Sequence, residues 1–130
     1  MIIIPESKIQ QQAYVWFNNS YCTVKNSPRF IIHSVPNGIP IPLPANERAR
    51  ALDLLHKTGM VNGISDLMIH GVLGRCIWAE CKTQTGIQSE DQKKIESRVK
   101  DLGGIYILFR SLNEFQEKIN IHINWLLGKE

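Results

Sequence analysis

The sequence predicts an α/β protein in which a mixed β-sheet is flanked by helices on both faces. Three observations carry that expectation. Segments of helical and strand character alternate in the order α-β-α-β-β-α-β-α. Two apolar runs, 64–69 and 75–82, are joined by HGVLG, where Gly71 and Gly74 supply a turn, so they read as an antiparallel hairpin. A further run, IYILFR at 105–110, follows a helical segment, and a right-handed strand–helix–strand crossover leaves its two strands parallel.

Each element has its own local signal. A helix over 5–18 is opened by Pro5, with Ile9, Ala13 and Trp16 as its apolar stripe. RFIIHSV (29–35) reads as a strand. The loop PNGIPIPLP (36–44) holds four prolines, which forbid a regular sheet interior. Asn46 is placed to cap a helix running to His56, with Leu52 and Leu55 turned inward and Gly59 ending it. Ser89 and Gln92 form a capping box at the start of a third helix. Its stripe is Ile95, Val99 and Leu102, and Gly103-Gly104 stops it. The near-continuous apolar run at 105–110 suits a strand covered on both faces. Ser111 and Glu114 form a second capping box, opening a final helical region over 112–127.

Composition narrows the function classes. At 130 residues the chain is expected to be one domain, 1–130, and 43% apolar with 21% charged residues excludes a disordered or fibrous protein. The net charge of +3 permits a nucleic-acid partner without arguing for one, because no long Lys/Arg block exists. No apolar run approaches a membrane span, so no membrane partner is expected and a cytoplasmic location is the default. Cys22, Cys76 and Cys81 are odd in number and lack C-x-x-C spacing, which suggests neither disulfides nor zinc.

The chemistry lies in IWAECK (77–82). Side chains alternate along a strand, so Glu80 and Lys82 share one face while Ile77, Ala79 and Cys81 share the other. Charge inside an apolar strand is costly unless it is paired or bound. If the hairpin turns near 71–74, Asp66 in GISDL falls almost opposite Glu80. Two carboxylates without His or Cys suit a hard cation, and Mg²⁺ takes oxygen ligands at about 2.1 Å. Asp66, Glu80 and the main-chain carbonyl of Cys81 would supply the protein side. Lys82 would orient or help deprotonate a water, or offset charge on a phosphate. The plain alternative is a surface Glu80–Lys82 ion pair on an edge strand.

The pattern Asp66…Glu80-x-Lys82 resembles the signature of the PD-(D/E)XK nucleases, and within that superfamily the chain resembles a VRR-NUC domain of the stand-alone phage or bacterial type. The resemblance runs over about residues 30–119. It rests on PNG (36–38), GISDL (63–67), AECK (79–82), GIQSEDQ (86–92) and GGIYILFRS (103–111). It implies a restriction-endonuclease-like core, with Asp66 and Glu80 as metal-binding acids, Lys82 as the active-site lysine and Gln92 directed at the site from the helix that follows. Glu6 resembles the acid that many superfamily members carry on a first helix near the metal, and otherwise reads as a first-turn acid favourable to the helix dipole. Gln10 shares its face. Ser65 stands where the family usually has proline before the aspartate.

The expected activity is therefore Mg²⁺- or Mn²⁺-dependent hydrolysis of DNA phosphodiesters. Lys93, Lys94, Arg98 and Lys100 are candidates to track a phosphate backbone, or form a solvated charged face. A homodimer selective for branched DNA such as Holliday junctions is expected from three points. The chain lacks a second domain for choosing a structure, stand-alone members of the family are associated with dimers, and the apolar INWLLG end (123–128) calls for a partner surface or a core groove. The rivals are an inactive nuclease-fold DNA-binding module and a small regulatory metal-binding α/β protein.

Overall fold

A computed structural model of the chain describes residues 2–36 and 41–129. The elements run α1 (Glu6–Tyr21), β1 (Ile31–Ser34), α2 (Ala45–Lys57), β2 (Leu67–His70), a 3-10 turn (Val72–Gly74), β3 (Cys76–Cys81), α3 (Glu90–Asp101), β4 (Ile105–Phe109) and α4 (Leu112–Leu126). The strands lie side by side as β1-β2-β3-β4. β1/β2 and β2/β3 are antiparallel, while β3/β4 is parallel, so the sheet is mixed as expected.

The strict alternation of β3 divides the core. Ile77, Ala79 and Cys81 are buried with Ile9, Ala13 and Phe17 of α1 and Phe115, Ile119 and Leu126 of α4. On the opposite face Trp78 and Tyr106 pack with Ile95 and Val99 of α3. Helices thus cover both faces, and the parallel β3–β4 pair is apolar on each side because each side meets a helix. Among the described residues no helix is long and apolar enough to cross a membrane.

Several details differ from the sequence expectations. Pro5 stands just before the first helical residue of α1, and the helix runs on to Tyr21. Its buried stripe is Ile9, Ala13 and Phe17, at strict i, i+4, i+8 spacing; Trp16 is only partly buried, edge-on to Phe115 at 5.9 Å. Pro44, not Asn46, precedes the first turn of α2, and that helix buries no residue. Leu52 and Leu55 remain 39% and 43% exposed, because α2 has an apolar pattern but, among the described residues, no layer of the fold lies against it. Leu102 is exposed because α3 ends at Asp101, so the helical spacing no longer governs it. Residues 37–40 of the proline-rich loop, with Asn37 and Gly38 of the PNG motif, lie outside the described residues.

The capping signals fare better. Ser89 and Gln92 make both bonds of a capping box. Ser111 accepts the Glu114 N–H, but the Glu114 carboxylate accepts from the Arg110 N–H at 2.9 Å, one residue earlier than expected. The INWLLG end needs no partner surface: Leu126 is fully buried. Arg75 lies over the Trp125 ring at 5.4 Å and donates to the Trp125 carbonyl at 2.6 Å. Gly71 is required there, since a Cβ at 71 would come within 2.5 Å of Leu126.

Candidate metal centre

The pairing Leu67↔Ala79 makes Asp66 and Glu80 the next opposed pair, at the end of the sheet where α1 and α3 also begin. The Cys81 N–H donates to Asp66 Oδ2 at 2.8 Å, while Asp66's own carbonyl accepts from the Val35 N–H at 2.9 Å. Both backbone ties hold the aspartate between β1 and β3. Glu6, in the first turn of α1, completes a trio whose carboxylate oxygens lie within 4.8 Å of one another. They line a cleft of about 360 Å³ with Asn62, Ser89 and Gln92.

Glu80 is only 1% exposed, and its Oε1 is buried without a hydrogen-bond partner among the described residues. Burial, then the Asp66 carboxylate, push its pKa up to about 9, with Lys82 opposing them. Glu6 is raised for the same reasons, burial first and Asp66 second. Converging carboxylates resist ionisation unless a cation joins them. The orphaned oxygen and the all-oxygen donor set fit a hard divalent ion. The three acids expected near the ion are therefore together.

Lys82 lies on the Glu80 face, with Nζ 3.8 Å from Glu80 Oε2 and its side chain 13% exposed. Gln92 combines the two roles the sequence allows it. Its Oε1 accepts from the Ser89 N–H at 2.8 Å and its Nε2 donates to Glu80 Oε2 at 3.0 Å. The helix cap thereby fixes the Glu80 carboxylate. Gln10 does not join the cluster; it lines a separate groove between α1 and β1 with Tyr14, Ile32 and Ser34. On α3, Lys93 pairs with Glu90 and Lys100 with Glu96, whereas Lys94 and Arg98 are exposed.

Two supporting residues escaped the sequence reading. Gly63 has φ +87, and a Cβ there would come within 2.5 Å of the Asp91 backbone, so only glycine lets the 62–65 loop seat against the start of α3. The glycine of GISDL was visible in the sequence, but nothing there named the helix it touches. Arg110 donates to the carbonyls of Thr83 and Gly86 at 2.7 and 2.6 Å, pinning the segment that follows Lys82. Gly86 in turn sits against the Lys82 stem, with its Cβ position 3.4 Å from Lys82 Cδ.

The chain has a mixed four-stranded sheet covered by α1, α3 and α4, with acids gathered at one strand end, an α/β fold. Among solved structures the chain is similar to a VRR_NUC domain protein, at TM-score 0.68 over 95% of this chain and 91% of that chain, with 16% identity. At that identity the likeness establishes the fold, in line with the resemblance read from the motifs. No family model matches the chain, and no curated protein matches it.

Proposed function

We propose that the protein is a divalent-metal-dependent endonuclease that hydrolyses phosphodiester bonds in DNA. The observation that carries this reading is the convergence of Glu6, Asp66 and the buried Glu80 on one cleft, with Lys82 beside them, in a nuclease-like fold. Asp66, Glu80 and the Cys81 carbonyl would hold Mg²⁺ or Mn²⁺, with Glu6 at the rim. Such an ion supplies Lewis-acid polarisation of the phosphate and of the attacking water. The protein's own groups do the rest. Gln92 and the Cys81 N–H hold the two acids in fixed orientations, which leaves their other oxygens for the cation. Lys82 Nζ, kept near the acids, offsets charge that builds on the phosphate or passes a proton to or from the water.

Lys82→Ala tests that division of labour. The chemical step should slow by about 10² or more, with much less effect on DNA affinity, as expected of a general acid–base or transition-state role. Single-turnover cleavage measured beside binding in Ca²⁺ separates the two. Equal losses in rate and affinity would make Lys82 an ordinary phosphate contact.

Branched DNA, read by a homodimer, is the finer part of the proposal. The C-terminal apolar segment no longer supports it, since that segment fills its own fold. Support comes instead from α2, whose Leu52, Leu54 and Leu55 are exposed close to the cleft; Met60 and Asn62 line both the acidic cleft and the groove under α2. A two-fold dimer would set two cleavage centres at a fixed separation. Light scattering at micromolar protein, with cleavage of a four-way junction and a linear duplex, decides it. A monomer that cuts both substrates equally would remove this part and leave the nuclease reading intact.

A further inference from the structure

Away from the acids, β1 and β2 bring two histidines together. Ile32, Leu67 and Ile69 are buried beneath α1 and α4, so the alternation turns His33 and His70 to the other face, at the end of the sheet where Ile31 is also exposed. Ile31 pairs with His70 and His33 with Met68, which makes the two histidines diagonal neighbours across the strands. Their Nε2 atoms are 2.9 Å apart and their rings lie within 10° of parallel.

We propose that His33 and His70 form a second metal site, a two-imidazole clamp for a borderline transition-metal ion of the Ni²⁺ or Cu²⁺ type, independent of the oxygen-lined centre. The two Nε2 atoms stand at hydrogen-bond distance, close enough that one ion about 2.05 Å from each would bridge them, with waters completing the shell. Imidazole also selects these ions over Mg²⁺, which prefers oxygen.

The surroundings prepare His33 for this role. Its Nδ1 lies 3.0 Å from the Ser34 carbonyl, an acceptor, so the ring proton sits on Nδ1 and Nε2 carries the lone pair. A carbonyl behind the ring is the usual partner of a ligating histidine. Without an ion, His70 donates its Nε2 proton to His33 Nε2. On binding, that proton moves to His70 Nδ1, both Nε2 lone pairs turn toward the ion, and no net proton is released. Burial, with His33 nearby, lowers the His70 pKa, which favours its neutral, ligating form.

The clamp joins strands whose pairing continues through the Val35 N–H to the Asp66 carbonyl, but its existence does not depend on nuclease activity. The test is calorimetric titration of untagged protein with NiCl₂ at pH 7.5 in excess MgCl₂, which keeps the acids engaged. One ion should bind, and His33→Gln and His70→Gln should each weaken it by about tenfold or more, with unchanged circular dichroism. The Asp66→Asn/Glu80→Gln double variant should bind Ni²⁺ as the wild type does. The proposal is overturned if either histidine variant binds like wild type, or if the acid variant loses the ion. Failure here would leave the acidic centre untouched, and absence of cleavage would leave the clamp untouched.

Discussion

Asp66→Asn and Glu80→Gln should each reduce Mg²⁺-dependent DNA cleavage by at least about 10², to near the background without metal. An amide keeps the shape of the carboxylate but is a poor ligand for a hard cation. The two substitutions should differ in their side effects. Asp66 Oδ2 accepts the Cys81 N–H, and an asparagine can still accept it through its carbonyl, so the strand end should stay in place. Glu80 accepts from Gln92 Nε2, and a glutamine can accept the same bond through its carbonyl oxygen. Both variants should therefore fold, with native circular dichroism, and neither should gain the thermal stability from Mg²⁺ that is expected of the wild type. A variant that keeps near wild-type cleavage would remove its residue from the metal centre.

What the sequence revealed, and what it hid, follows from the range of the interactions. Both cap serines rest on contacts within a few residues, the hairpin on a short turn and the crossover on the fixed hand of a strand–helix–strand unit, and these were legible. The Asp66–Glu80 opposition was legible too, because a short turn leaves little freedom in register. Gln92 was legible only as an ambiguity. A capping glutamine spends its oxygen on the Ser89 N–H, yet its nitrogen remains free for Glu80, and nothing local reveals that β3 lies within reach. The α2 expectation failed for the complementary reason. Its leucines have core-like spacing, but whether a layer lies opposite them is a fact about distant chain. Arg110 stood inside a motif segment, but its two carbonyl partners, 24 and 27 residues upstream, belong to a loop without periodicity to betray the contact.

The same buried acid should make the metal-free protein lose stability as pH rises. Glu80 has an ordinary value of 4.5 when the chain is unfolded and about 9 when folded, because burial and Asp66 disfavour its charge. Between those values the folded state holds a proton that the unfolded state has released. Stability must then fall with increasing pH across that window, and be least penalised below about pH 4.5. Glu6 contributes in the same direction. One pKa unit corresponds to about 1.4 kcal/mol, so the penalty accumulated by pH 9 is on the order of a few kcal/mol. Glu80→Gln, which has no proton to lose, should flatten the profile and melt higher than the metal-free wild type at pH 8. Divalent metal should reverse the order, because the cation stabilises the charged carboxylate and displaces its proton. Mg²⁺ affinity should accordingly rise with pH over the same window. Thermal melts of both proteins from pH 5 to 9, in chelator and in Mg²⁺, measure all of this. If the two melt in parallel in chelator, Glu80 is charged in the folded protein without metal, and its burial does not bear on how the cleft takes a cation.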